Sequence, residues 1–163
     1  MRRNPTVPLK EEVKYGHGFF RGEKCPLSGE EGVLVMSPRH LDQFGRIMAG
    51  VLRHFPDKFD LEMDKQGWVE ATEFVEAVKL QRRHFHFLET KHLQAVVETD
   101  PKGRYQLNSG RLRATYAHTL DLDLDLPTDQ NPEHLYFACS KEDSDEYLEH
   151  GLYPGDRNMV HLS

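Results

Sequence analysis

The sequence predicts a mixed α+β chain. Three helices and a hairpin in the order of a winged helix are followed by the opening of a second, sheet-based lobe. Three observations predict this. Apolar residues recur at helical spacing in three stretches between residues 38 and 99, two strand-like runs flank a turn at 104–116, and beyond residue 119 a period-two stretch and short apolar runs replace the helical pattern. The 163 residues are 37% hydrophobic, enough for one domain or two small ones.

Taken in order, residues 1–14, with Pro5 and Pro8 among charges, show no periodicity and read as a lead-in without structure. Residues 15–29 follow with glycines that allow tight turns, and Cys25-Pro-Leu-Ser28-Gly29 resembles a metal knuckle whose second thiol is replaced. Zinc takes about four N or S ligands. Cys25 and His17 are the only local candidates, so residues 1–36 are expected to form an N-terminal extension with a metal-free loop.

Residues 37–119 carry the winged-helix pattern. Ser37-Pro38 is an N-cap and first-turn pair, and Leu41, Phe44, Ile47, Met48, Val51, Leu52 and Phe55 follow at three- and four-residue steps until Pro56, predicting a helix over 38–55. Phe59, Leu61 and Met63 alternate, Asp64-Lys-Gln-Gly67 is a turn, and Trp68 precedes a second helix through Phe74, Val75 and Val78. A third helix fits Thr90–Thr99. Asp100-Pro-Lys-Gly103 is turn chemistry, after which Arg104–Leu107, Asn108–Gly110 and Leu112–Tyr116 read as strand, turn, strand.

Residues 120–163 read as a linker and the beginning of a larger domain. Leucine and aspartate alternate from Leu120 to Leu126, so leucines share one face. His134–Cys139 suits a buried strand with Cys139 as a small core residue, Ser140 can cap a helix ending at Gly151, and Met159–Leu162 begins another strand. A strand, a helix and a short second strand cannot close a sheet-based domain.

Charge divides along the same line. Residues 1–118 hold 19 Lys+Arg and 16 Asp+Glu, a balance of +3, whereas residues 119–163 hold 2 and 11, a balance of −9. The first part suits an anionic partner and the second does not. No apolar run approaches the ~20 residues of a membrane helix, and no apolar signal stretch follows the basic start. A cytoplasmic monomer with reduced thiols and no membrane association is expected.

Two places combine cationic side chains with a defined setting. With α-helical geometry, Arg53 falls about 170° from the apolar stripe of the first helix and His54 lies on its border. Arg53 is then solvated, and the pair is either a plain helix end or a site. In the strand from Arg111, residues Arg111, Arg113 and Thr115 share a face, either the wet side of a wing or a surface for phosphate, whose oxygens match a guanidinium fork.

These residues also follow a known pattern. Val51-Leu-Arg53-His54-Phe-Pro56, Leu61–Val69, Val97–Tyr105, Leu112-Arg113-Ala-Thr-Tyr-Ala-His118-Thr119, Gly151-Leu-Tyr-Pro154 and Val160-His161-Leu-Ser163 resemble, in order, the NAD-dependent RNA 2'-phosphotransferases of the tRNA-splicing type, in their archaeal branch. The resemblance implies a winged-helix-like RNA-binding lobe and an ADP-ribosyltransferase-like lobe that holds NAD. It implies a two-step reaction on an internal RNA 2'-phosphate, with tRNA as the expected substrate. The phosphate attacks the ribose carbon bearing nicotinamide, and the neighbouring ribose hydroxyl then displaces the RNA, leaving a 2'-OH and ADP-ribose cyclic phosphate. It assigns catalysis to Arg53, His54 and Arg113, RNA binding to Arg53, Arg111 and Arg113, and NAD contacts to His118, Thr119, Tyr136, His161 and Ser163, with no metal.

The chain departs from the pattern in three places. The fourth family arginine falls beyond Ser163, so the C-terminal part of the pattern is missing. Tyr136-Phe137-Ala138-Cys139 stands where most members have Tyr-His-Gly-Thr, and Ser28 replaces a cysteine. Two other readings stay open: a non-catalytic winged-helix module for duplex nucleic acid, against which the third helix offers only Lys91 and His92 for base contacts while Glu89 and Glu98 would repel a groove, and an inactive relative that only binds RNA.

Overall fold

The computed structural model describes residues 7–116, 118–125, 139–141 and 143–152. It is a mixed α and β structure with four α-helices and two three-stranded sheets among the described residues. The chain divides into two compact units, Met1–Asp125 and Leu126–Ser163.

The first sheet overturns the expectation of an unstructured lead-in. Strand β1 (Leu9–Glu12) lies between β2 (Gly18–Arg21) and β3 (Val33–Met36), antiparallel to both. A register irregularity between Leu9 and Lys10 breaks the period-two pattern, so Leu9 and Glu12 are the two buried residues of the strand. An acid inside a sheet reads as a surface residue in sequence. Here its carboxylate accepts the Tyr15 N–H at 2.9 Å and the His17 N–H at 3.1 Å, which offsets the cost of burial. The knuckle-like loop closes on itself, with the Cys25 N–H donating to Glu30 O at 2.7 Å and Cys25 Sγ 3.6 Å from His17 Nδ1. Hydrogen bonding from Ser28, which stands at the replaced thiol, is the main influence that draws the Cys25 thiol down to about 7. Among the described residues no three His, Cys, Asp or Glu side chains are placed to hold a metal.

Helix α1 (Pro38–Arg53) starts at Ser37, whose Oγ accepts the His40 N–H at 3.2 Å. It buries Leu41, Phe44, Met48, Val51 and Leu52, the predicted stripe. It ends two residues earlier than predicted because Pro56 excludes helical backbone at Phe55, and the chain turns into a single 3₁₀ turn at Pro56–Phe59. Strand β4 (Val69–Glu70), α2 (Ala71–Gln81), α3 (Thr90–Glu98), β5 (Tyr105–Asn108) and β6 (Arg111–Ala114) follow, and the second sheet runs β4-β6-β5. The core between helices and sheets centres on Phe44, whose ring lies 6.2 Å from Phe74 and 5.7 Å from Phe85, all three fully buried. Each such ring contributes about 1.5–3 kcal/mol of burial.

Residues 120–125 form no strand, yet their alternation still sorts sides. Leu122 and Leu124 turn toward Gly67 while Asp121, Asp123 and Asp125 are exposed. In the second unit α4 (Ser144–His150) has Asp143 at its N-cap in place of Ser140, whose hydroxyl instead accepts the Asp143 N–H at 3.1 Å. The helix stops at Gly151, whose φ of +83° suits a residue without Cβ. Cys139 is exposed, against the expectation of a buried strand residue, because it stands in the turn leading to α4. The predicted strands at 134–138 and 159–162 lie outside the described residues.

Candidate functional site

Arg53 and His54 occupy the C-terminal end of α1, and the stretch from His118 to Asp125 returns to cover it. The Thr119 N–H donates to Arg53 O at 3.0 Å, and Thr119 Oγ1 lies 3.0 Å from His54 Nδ1. The Arg53 guanidinium stacks on the Tyr116 ring, 4.9 Å from its centroid. It is not the solvated side chain that helix geometry predicts. Arg53 is half-buried, and its Nε and Nη2 are shut away from solvent without a hydrogen-bond partner. Helical geometry places Arg53 off the core of its own helix, but Tyr116 and Thr119 arrive from another part of the chain and pack there.

The same chain segment reaches Arg113. This side chain is only 6% exposed, a correction to its predicted place on the wet side of a wing. Trp68 covers that face of the strand, with the Arg113 guanidinium 4.4 Å from its ring centroid. Arg113 Nε donates to Gln106 Oε1 at 2.7 Å, and Nη1 donates to Gln66 O at 3.1 Å and to Leu124 O. Its Nη2 has no partner among the described residues. Gly67 makes the approach possible: at φ +84° it is buried under the returning segment, and an added Cβ would stand 3.3 Å from both Leu122 and Leu124 and 3.8 Å from His118. The segment therefore touches the Arg53–His54 end and the Arg113 end, bringing together residues sixty positions apart in sequence (113 − 53).

Arg111 is held differently. It pairs with Asp64 at 2.6 Å and faces Glu70 at 3.6 Å. Burial pushes the Asp64 carboxyl up, but the Trp68 N–H, the Arg111 guanidinium and the Gln66 N–H outweigh it and hold it below its ordinary value.

Four buried side-chain atoms among the described residues lack any partner: Arg53 Nε, Arg53 Nη2, Tyr105 Oη and His118 Nδ1. The fold draws them together: Tyr105 is paired with Ala114 across β5 and β6, the Ala114 carbonyl accepts from His118, and the next residue, Thr119, is bonded to Arg53 O. Burial pushes the Tyr105 phenol up and so keeps it an O–H donor. Burial likewise pushes His118 down, toward the neutral ring. Its Nε2 lies 2.9 Å from Ala114 O, a carbonyl that only accepts, so Nε2 carries the proton and Nδ1 is an acceptor. Donors from Arg53 and Tyr105 beside an acceptor from His118 suit a ligand with anionic oxygens and a hydroxyl. Such groups are costly to leave unpaired in a protein interior.

Of the residues expected to act, the structure gathers Arg53, His54, Thr119 and His118 directly and links Arg113 to them through the returning segment. Tyr136, His161 and Ser163 lie outside the described residues. Sequence reading missed Tyr105, which looks like an ordinary inward strand residue, and Gly67, whose only signal is a turn before Trp68.

Comparison with known proteins adds an independent finding. A family model described as RNA 2'-phosphotransferase, Tpt1 / KptA family, matches residues 39–163. A "Probable RNA 2'-phosphotransferase" of Thermoplasma volcanium is 37% identical over 153 residues, covering 93% of this chain and 65% of that protein. A "Probable RNA 2'-phosphotransferase 1" of Archaeoglobus fulgidus is 38% identical over 155 residues, 94% of this chain and 70% of its own length. A relative in Methanosarcina mazei with the same name as the first is 37% identical over 147 residues, 90% and 69% respectively. The chain thus spans 65% of the length of the Thermoplasma volcanium relative.

Proposed function

Because this chain belongs to the RNA 2'-phosphotransferase family, we propose that it serves removal of an internal RNA 2'-phosphate, at a tRNA splice junction, by transfer to NAD, giving 2'-OH RNA, ADP-ribose 1'',2''-cyclic phosphate and nicotinamide. The observation that carries this reading is the neighbourhood of unpartnered buried atoms on Arg53, Tyr105 and His118, next to the His54–Thr119 contact. In this reading residues 38–119 act as a winged-helix-like RNA lobe, supported by the element order and by β4 pairing with β6. Residues 120–163 form a linker and part of an ADP-ribosyltransferase-like lobe.

NAD, when bound, supplies an electrophilic ribose carbon with nicotinamide as its leaving group. The fit rests on the orphaned acceptor His118 Nδ1 and on Thr119, which would face its ribose, with Tyr136, His161 and Ser163 as further contacts. The chain's own residues do the rest. Arg53 and Arg113 orient the 2'-phosphate and offset the crowding of anionic charge. The Thr119 hydroxyl, 3.5 Å from Arg53 O, donates there and accepts from His54 Nδ1, so the exposed Nε2 of His54 is left to take or return a proton.

The rival module reading keeps one of its two contacts. His92 Nδ1 accepts the Glu89 N–H at 3.0 Å and is engaged at the start of α3, while Lys91 pairs with Glu11 of β1 at 2.6 Å on the surface, where a phosphate can displace it. The test is binding of two matched RNA oligonucleotides, with and without one internal 2'-phosphate, followed by turnover with and without NAD. Tighter binding of the phosphorylated RNA, lost in Arg53→Ala, and dephosphorylation only with NAD are expected. Equal affinity for both RNAs would return the protein to the module reading.

A further inference from the structure

Within α1, Arg39, Arg46 and Arg53 stand at successive seven-residue steps. Seven residues bring a helix to within about 20° of where it started and advance it about 10.5 Å, so the three arginines form a row about 21 Å long on one side of α1. Arg53 ends the row at the candidate site, and Arg39 and Arg46 are exposed along it.

On that side lies a groove of about 800 Å³. Gly45 and Ala49 of α1 line it, and a Cβ placed on Gly45 would meet nothing within 4 Å, so a ligand can approach the helix backbone closely. The facing wall comes from β2, with Phe19 and Arg21, and from Arg104 and the first residue of β5, Tyr105. Arg21 is fixed by Thr99 Oγ1 at 2.9 Å and Val96 O at 3.1 Å, and Arg104 by Asp100 at 2.9 Å. Arg46 is the movable cation. Its contact with Asp42, 2.9 Å long, leaves the two side chains 60% and 40% exposed, and such a surface pair is weak enough for a phosphate to displace. Asp42 and Glu98 are the acids on the lining, against three arginines.

One further observation ties the groove to the site. Tyr105 lines it, is 6% exposed, and has a hydroxyl with no partner in the neighbourhood of Arg53. The groove is edged by guanidinium groups, with a half-buried ring at Phe19 that can stack on a base, which suits a polyanion.

We infer that this groove binds the single-stranded RNA flanking the 2'-phosphorylated nucleotide, with Arg46 and Arg39 contacting backbone phosphates and the Tyr105 hydroxyl donating where the strand meets Arg53. The inference rests on the RNA reading above and gives the N-terminal sheet a function, as one wall of the RNA path. It is tested on the 163-residue chain by fluorescence anisotropy with two RNAs, a trinucleotide and a strand of about ten nucleotides, each with one internal 2'-phosphate.

The longer RNA should bind at least tenfold more tightly. Arg39→Glu with Arg46→Glu, two exposed positions, should remove that advantage and reduce the salt slope by about 0.7 per lost phosphate contact, while trinucleotide affinity stays within twofold. Tyr105→Phe should weaken the longer RNA several-fold at an unchanged denaturation midpoint. No length advantage, or an equal loss for both RNAs in the double variant, overturns the groove. A trinucleotide that binds no better than its 2'-OH counterpart overturns the functional reading itself, so the two failures are distinct.

Discussion

Two polar centres of the first unit are built on opposite terms. Around Glu12 a buried carboxylate is fully used: it accepts N–H groups from Tyr15 and His17 and lies 3.4 Å from the His17 ring. Around Arg53 the interior leaves two guanidinium nitrogens, a phenol and an imidazole nitrogen unpaired. Paired buried groups stabilise a fold, whereas unpaired ones cost stability unless a ligand completes them. The first centre therefore stabilises the fold, and the second, on the function proposed above, is left for a substrate to complete.

The sharpest way to break this comparison is Arg53→Ala. Turnover of 2'-phosphorylated RNA should fall by about 10²–10³-fold, as when one preorganised donor is removed from a charge-stabilising site, while the thermal midpoint stays the same or rises. A clear drop in midpoint would show that Arg53 supports the fold.

Arg113 sits between the two kinds of centre, because among the described residues three hydrogen bonds hold it and one nitrogen has no partner. Arg113→Ala should destabilise the protein by about 2 kcal/mol in urea unfolding, since buried acceptors lose a charged donor, and should also weaken RNA binding. Unchanged stability would mean that the returning segment does not depend on it.

Gly67→Ala should cost about 1 kcal/mol or somewhat more, from the strained φ and the close Leu122 and Leu124 side chains. The loss should appear first as faster amide exchange at Thr119 and Asp123, whose N–H groups bind Arg53 O and Lys65 O.

The smallest effect concerns pH. Burial pushes the Glu12 carboxyl up, but the amides of His17 and Tyr15 together with the His17 ring outweigh it and hold it below its ordinary value of 4.5. A group depressed in the folded state contributes stability above its unfolded value and loses it as pH falls through the folded one. Midpoints of the wild type and Glu12→Gln should thus lie furthest apart above pH 4.5 and converge in more acidic solution. A constant gap across that range would show that the carboxylate charge is not what stabilises the loop.

The helical part of the molecule was legible because its signals are local. Ser37-Pro38, the apolar stripe from Leu41 to Leu52 and the stop at Pro56 act within a few residues of each other, and a hairpin needs only its turn and two runs. Arg53, His54 and Arg113 were legible as a set through the order of motifs, as Arg-His before Pro56 and Leu-Arg before His118-Thr119.

Sequence alone thus determined the helices, the hairpin and the identity of the charged residues. Tertiary structure decided their state. Trp68 turns the expected wet face at Arg113 into a buried one, and Tyr116 and Thr119 pack on an arginine that its own helix would leave in water. Glu12 enters the interior because three backbone and side-chain partners meet it there. Burial and partnership depend on what arrives from dozens of residues away, and a periodicity that spans one element carries no information about that arrival.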